Sequence, residues 1–119
     1  MTKNTPQPRV KLSRLRDIGW GLWDPIGLIG PDAPFSGKWS DEGNQSFADE
    51  YDTYLISAAS QLRRNTQREK VVEYLIEIET QHMVSRENAT TRERAEAVVT
   101  AILADKMIWT WPDEQGRFE

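Results

Sequence analysis

Residues 49–84, DEYDTYLISAASQLRRNTQREKVVEYLIEIETQHMV, decide the fold class of this chain. Apolar side chains recur there at intervals of three and four residues, the spacing that places them on one face of a helix. In the first half they are Tyr51, Leu55, Ala58 and Leu62, and in the second half Val71, Val72, Leu75, Ile76, Ile78 and Met83. These stripes predict two helices, over about 49–64 and 66–84. Because only about two residues join them, we expect the two helices to pack as antiparallel neighbours.

Polar residues mark the predicted helix ends. The first turn of the first helix is acidic, which is the sign that the helix dipole favours there. Asn65 fits a left-handed cap after that helix. Thr66 with Glu69, and Thr90 with Glu93, have the spacing of a capping box. We therefore expect helices to begin at Thr66 and Thr90.

One further helix is predicted on each side of this stretch. The first covers about residues 10–23 and ends at Asp24-Pro25, because proline disfavours the helical region for the residue before it. The last covers about residues 90–108. Their apolar stripes are Leu12, Leu15, Ile18 and Leu22 in the first helix, and Ala95, Val98, Val99, Ile102, Leu103 and Met107 in the last.

The remaining segments are predicted to lack regular structure. Residues 24–47 contain many glycines and prolines but also apolar side chains, which predicts a loop folded onto the core. The alternation at 108–111 has no evident partner, so no strand is predicted. The predicted fold is all-α, a compact four-helix domain over residues 10–119 with a long ordered loop between helices 1 and 2. Residues 1–9 are predicted to form a disordered tail.

Composition limits the chemistry that this chain can perform. Its 119 residues include no cysteine, which excludes disulfides, thiolate metal sites and a cysteine nucleophile, and His82 is the one histidine. Its net charge of −4 and acidic body argue against a nucleic-acid binder. There is no signal-peptide pattern, and no apolar window approaches the ~18 residues of a membrane helix. We expect a cytoplasmic protein with no cofactor and with no nucleic-acid or membrane partner.

The start of the chain is basic, in contrast to the rest. Residues 1–16 contain no acid and five bases, namely Lys3, Arg9, Lys11, Arg14 and Arg16. Such a run could contact phosphate or an acidic partner. Its shortness favours a simpler interpretation, a solvated tail followed by a first helical turn.

Two acidic segments form the first candidate site. They are Trp23-Asp24-Pro25-Ile26-Gly27-Leu28 and Asp49-Glu50-Tyr51-Asp52. If the loop between them folds back, their carboxylates could lie together and bind a hard cation or perform acid–base work. In the alternative interpretation, Asp24 accepts backbone N–H bonds in its turn and the other acids cap the second helix. We favour the structural interpretation and predict no metal ligands and no catalytic residues.

Two other patterns are less specific. Glu79 and His82 have the spacing of half a carboxylate-bridged di-metal site, but a second histidine is missing, so a helical salt bridge or a partly buried histidine is the preferred interpretation. Among the five tryptophans, Trp20 and Trp23 are predicted at the core or its edge. Trp39 and Trp111 lie in breaker-rich or terminal segments, and either one, if exposed, would mark a partner surface. The candidate partner- or ligand-binding residues are Trp23, Asp24, Trp39, Asp49, Glu50, Tyr51, Asp52 and Trp111.

The two acidic segments together resemble the YugE-like family of small bacterial proteins of unknown function. Members of that family pair a Trp-Asp-Pro-Ile-Gly-Leu type segment with a downstream Asp-Glu-Tyr-Asp type segment. The resemblance covers about residues 12–84 and implies a compact helical domain, with Asp24 close in space to residues 49–52. This chain departs from the family by a long insert at about 29–47, by a fourth helix and by its tryptophan-rich end.

These observations favour a non-enzymatic interaction or regulatory module. Small size, surplus tryptophan and the absence of catalytic pairs suggest an unidentified protein partner, and the most concrete form is an inhibitor or immunity-type protein that occupies a basic partner. The sequence leaves a homodimer open as well. The alternative is a small-ligand or divalent-cation binding domain with its acidic site at Asp24 and residues 49–52.

Overall fold

The computed structural model describes residues 8–25, 27–29, 33, 35–82, 90–111 and 114–115. It is compact and mostly helical, which confirms the predicted all-α class with four main helices. These are α1 (Leu12–Ile18), α2 (Asp52–Arg63), α3 (Arg68–Glu77) and α4 (Thr91–Ala104). Within the described ranges, no helix has both the length and the apolar character that crossing a membrane requires.

Helices α1 and α3 each continue into a wider, π-helical turn, at Gly19–Trp23 and Ile78–His82. The first of these turns ends at Asp24, where φ is +30°. The helical path therefore stops before Pro25, as the Asp-Pro pair predicts. The predicted loop at 85–89 lies outside the described residues.

Three local predictions need correction. The segment before α2 contains a 3-10 helix, Glu42–Phe47, and α2 begins at Asp52 rather than near 49. Gln67, not Thr66, is the N-cap of α3, and no side-chain cap bond forms there. Thr90 is the N-cap of α4, which confirms the predicted start of that helix, but its side chain makes no cap bond; its hydroxyl accepts a hydrogen bond from the Arg94 side chain. The left-handed Asn65, with φ of +66°, is confirmed.

The prediction that the chain has no strand is wrong. Strand β1 (Arg9–Val10) pairs antiparallel with β2 (Trp109–Thr110). Val10 lies opposite Trp109 and Arg9 lies opposite Thr110. The partner of the alternating segment was not evident from the sequence because it lies at the opposite end of the chain. Of the predicted tail, residues 1–7 lie outside the described residues.

All four helices contribute to one core. Its fully buried members include Leu15, Leu55, Val71, Val72, Leu75, Val98 and Val99, and Trp20 and Trp23 are buried with them, as predicted. α1 crosses α2 closely at Gly19, where an added Cβ would overlap the side chain of Leu55. The described parts of the segment between α1 and α2 also pack on this core, through Leu28, Ile29, Trp39 and Phe47. This packing positions the residues of the candidate site.

Candidate functional site

Asp24 connects the two segments that the sequence singled out. Its Oδ1 accepts hydrogen bonds from the Leu28 amide at 3.0 Å and from the Tyr51 hydroxyl at 2.7 Å. Its Oδ2 accepts one from the Ile29 amide at 3.0 Å. The expectation that Asp24 and residues 49–52 meet in space is therefore confirmed. The carboxylate holds the turn after the first helix against the start of α2.

Tyr51 and Trp23 lie inside the core rather than on a surface. The Tyr51 ring packs 4.5 Å from the ring of Trp20 and 5.4 Å from that of Trp23, measured between centroids. The Trp20 indole nitrogen donates to the Ala48 carbonyl at 3.1 Å. Trp23 is only 2% exposed, and its indole N–H has no hydrogen-bond partner among the described residues. Neither Tyr51 nor Trp23 offers a surface to a partner here.

Asp52 binds an arginine of α1 instead of joining Asp24. Arg16 donates Nε to Oδ1 at 3.0 Å and Nη2 to Oδ2 at 2.6 Å, which is the two-point geometry of a strong ion pair. The hydrogen bond to Asp52 raises the pKa of Arg16 above its ordinary value. Asp52 thus ties α2 to α1.

Trp39 is held on α1 by two consecutive residues. Its indole nitrogen donates to Asp17 Oδ1 at 2.9 Å, and the Arg16 guanidinium lies 5.3 Å above its ring. Trp39, Trp20 and Gly21 line an apolar cleft of about 260 Å³ beside these contacts. This volume lies slightly below the range of roughly 300–1,000 Å³ that is usual for small-molecule pockets.

The four carboxylates of the candidate site do not gather into one cluster. Asp49 and Glu50 are exposed, while Asp24 and Asp52 bind different partners. Within the described part of the chain, no three or more histidine, cysteine, aspartate or glutamate side chains are placed to hold a metal ion. The geometry confirms the structural interpretation for Asp24, which accepts backbone N–H bonds in its turn. The predicted capping of α2 by the other acids is wrong, because Tyr51 is the N-cap, no side-chain cap bond forms, and Asp52 binds Arg16 instead.

A buried ion pair, which the sequence interpretation missed, joins α3 and α4. Glu79 is 1% exposed, and its two oxygens accept from Arg94 at 2.7 and 2.8 Å and from the Thr91 hydroxyl at 2.9 Å. Arg94 also donates to the Trp23 carbonyl at 3.1 Å. One signal was available, because Glu79 follows Leu75 by four residues and therefore shares the apolar face of the helix. An acid on that face needs a buried partner.

Among the apolar residues that the structure describes, the most exposed lie at the C-terminal end of α4 or follow it in the chain. Leu103, Met107 and Trp111 are 54%, 60% and 58% exposed. Leu103 lines a groove of about 210 Å³ between α2, α4 and β2, and Met107 lines an adjoining groove between α1 and α4. Lys106 and Asp105 line both grooves, so the two adjoin each other. We name Leu103, Lys106, Met107 and Trp111 the apolar end surface.

The comparisons with protein-family models, with curated proteins and with solved structures gave no match to this chain. The resemblance to the YugE-like family stays a prediction from the two acidic segments.

Proposed function

We propose that this protein is a non-enzymatic interaction module that binds a partner protein through the apolar end surface. The observation that supports this proposal is that Leu103 and Met107, each more than half exposed, line two grooves that share Asp105 and Lys106. Trp111, four residues after Met107 in the chain, is also more than half exposed. Contact of these apolar side chains with water is unfavourable, so covering them with another molecule lowers the free energy. Tryptophan and methionine are also enriched in the cores of protein–protein interfaces.

The grooves beside this surface add to the argument. Ala59, Leu62 and Ile102 line the groove next to Leu103, so a partner side chain that enters it would contact apolar walls. Pockets of this kind accept the anchor residues that supply most of the binding energy in an interface. We propose a regulator or inhibitor, located in the cytoplasm, as the concrete form of the module.

The alternative function, a small-ligand or divalent-cation site at Asp24 and residues 49–52, has no support from the described geometry. The oxygens of Asp24 already accept two amides and a phenol. Those of Asp52 accept the Arg16 guanidinium. A cation would have to displace these bonds.

Capture from a native lysate with matched surface variants tests the proposal. The bait variant replaces Leu103, Met107 and Trp111 with serine. The control variant replaces Leu22 and Ile56, two exposed apolar residues elsewhere on the molecule, with serine. We expect wild type and control to retain the same protein at equal yield and the bait variant to lose it.

Two measurements make the capture interpretable. Thermal unfolding monitored by circular dichroism shows whether each variant remains folded. Light scattering on the purified proteins shows whether the partner is a second copy of this chain, since a homodimer through this surface would dissociate in the bait variant alone. Equal capture by all three folded proteins would contradict the proposed function.

A further inference from the structure

Resting on the proposed function, we infer that the apolar end surface binds an acidic amphipathic segment of its partner protein. The proposed function requires only an apolar partner. The inference adds the form of the segment that binds and the sign of its charge, which is opposite to that of the basic partner expected from the sequence.

The first observation is the charge around the apolar end surface. Lys106 lines both grooves and makes no ion pair with any residue that the structure describes. Arg14 and Lys11 face Asp105 from the start of α1, and Arg63 contributes from the end of α2. This end is therefore basic in a chain whose net charge is −4. Charge of the opposite sign on a partner would steer its approach and fix its orientation.

Asp105, which lines both grooves, neutralises Arg14 and leaves Lys106 and Lys11 as bases at this end. Asp105 accepts a hydrogen bond from Arg14 Nε at 2.8 Å and another from the Met107 amide at 2.9 Å. Its carboxylate is therefore engaged with α1 and with its own turn. The Lys106 ammonium group can therefore form an ion pair with a carboxylate of the partner.

Helix-dipole compensation accounts for only part of this arrangement. Cations are favoured at helix C-termini, and Arg63 and Lys106 lie at the ends of α2 and α4. That effect does not explain why Leu103 and Met107 are left exposed among them. Apolar side chains bordered by bases match a segment with one apolar and one acidic face, such as an amphipathic helix laid in a groove.

In the groove beside Leu103, a nucleic acid fits less well than a protein segment. Single-stranded nucleic acids bind where aromatic faces are open for base stacking. The Arg63 guanidinium lies 5.3 Å above the ring of Trp109, so one face of that ring is already covered. Leu62, Leu103 and Ile102, which line the same groove, are aliphatic.

Fluorescence anisotropy with designed peptides tests the inference on the full chain. The first labelled peptide is a helix with leucine at positions i, i+3, i+4 and i+7 and glutamate on its outer face. The second replaces every glutamate with lysine, and the third keeps the glutamates but replaces the leucines with serine. We expect the first to bind at least about tenfold more tightly than either of the others, and salt to weaken its binding.

Charge variants of the protein identify the binding surface. Lys11→Glu combined with Lys106→Glu is expected to weaken the acidic peptide about tenfold or more and to improve binding of the lysine peptide. Lys70→Glu, at an exposed position on α3, is the single-charge control and leaves both affinities unchanged. Leu103→Ser combined with Met107→Ser removes binding of the acidic peptide while the fold is retained.

Three outcomes overturn the inference. In the first, the acidic peptide binds no more tightly than the lysine peptide. In the second, Lys70→Glu weakens binding of the acidic peptide as much as the combined Lys11→Glu and Lys106→Glu substitutions do. In the third, oligothymidylate binds as tightly as the acidic peptide, and its binding needs Lys106 but not Leu103, which would indicate a polyanion site. Lysate capture that still depends on Leu103, Met107 and Trp111 would then leave the proposed function standing. Capture that is independent of these residues would remove the proposed function itself.

Discussion

The hydroxyl of Tyr51 donates a hydrogen bond of 2.7 Å to Oδ1 of Asp24, across 27 residues of the chain. Asp24 adopts a left-handed backbone conformation, with φ of +30°, which non-glycine residues rarely adopt. Two amide hydrogen bonds and the Tyr51 bond hold its carboxylate there. Asp24 and Tyr51 therefore connect the turn that follows the first helix to the start of α2.

Removing the Tyr51 hydroxyl should destabilise the fold. Tyr51→Phe keeps the ring packing on Trp20 and Trp23 but deletes a bond to a carboxylate, so we expect the free energy of unfolding to fall by about 1–2 kcal/mol. Urea denaturation measures the change. Tyr54→Phe is the control, since Tyr54 packs on the same core. Equal losses in the two variants would show that the Asp24 contact contributes nothing specific.

Breaking the buried Glu79–Arg94 pair should have the largest effect of any polar substitution proposed here. Glu79→Gln leaves the Arg94 guanidinium, which is mostly buried, without its carboxylate, and we expect a loss of about 2–4 kcal/mol of stability. Arg92→Gln breaks the exposed pairs with Glu69 and Glu73, where water and salt screen the charges, so it should change stability far less. Thermal and urea unfolding of both variants make the comparison. A Glu79→Gln protein as stable as Arg92→Gln would contradict the buried role.

The Arg14–Asp105 pair predicts a dependence of stability on acid pH. The hydrogen bond from Arg14 lowers the pKa of Asp105 below its ordinary value, and the Met107 amide lowers it further. Because the folded-state pKa is the lower one, the contribution is complete above the unfolded-state pKa of about 4 and is lost as the pH falls through the folded-state value. The stability difference between wild type and Asp105→Asn should therefore shrink on acidification below about pH 4.

A double-mutant cycle isolates that pair. Arg14→Gln, Asp105→Asn and the double variant are unfolded with urea at neutral pH and again in acid. We expect a coupling between the two residues at neutral pH that vanishes in acid. A coupling that is independent of pH would mean that packing, rather than charge, connects these residues.

Two neighbouring glycines should respond in opposite directions to alanine. Gly19→Ala places a Cβ against the buried side chain of Leu55 where α1 meets α2, and we expect a loss of about 1–3 kcal/mol. Gly21 lies in the same helical turn with open space around its Cα, so Gly21→Ala should stabilise the protein by about 0.5–1 kcal/mol through helix propensity. Urea unfolding of the two variants checks both signs. Stabilisation by both would show that α2 can move away from α1 at little cost.

Local features of the fold were predictable because their causes lie within a few residues. The three- and four-residue apolar spacing located all four helices, Asp24-Pro25 marked the end of the first, and Asn65 marked the left-handed position after α2. Errors occurred where a local signal competed with a distant contact. Thr90 has the spacing of a cap, but its hydroxyl accepts from Arg94, whose guanidinium is positioned by Glu79 on another helix.

The candidate site was predictable only in part for the same reason. The sequence indicated that Asp24 and residues 49–52 belong together, and it offered either a cluster or structural ties. Nothing in the spacing showed that Asp52 would bind Arg16, or that Trp39 would bind Asp17. The first pair depends on how α1 and α2 are rotated against each other, and the second on how the segment between them packs on α1.

By itself, the sequence determined the helical class, most of the buried face of each helix and the ends of the first two helices, since periodicity and backbone preference act over one or two turns. Only the tertiary structure decided which residue faces which. It brought Arg9 and Val10 beside Trp109 and Thr110, buried Glu79 against Arg94, and left Leu103, Met107 and Trp111 exposed. Periodicity identifies the side of a helix that must be buried, but the opposite residue is selected by packing among segments far apart in the chain.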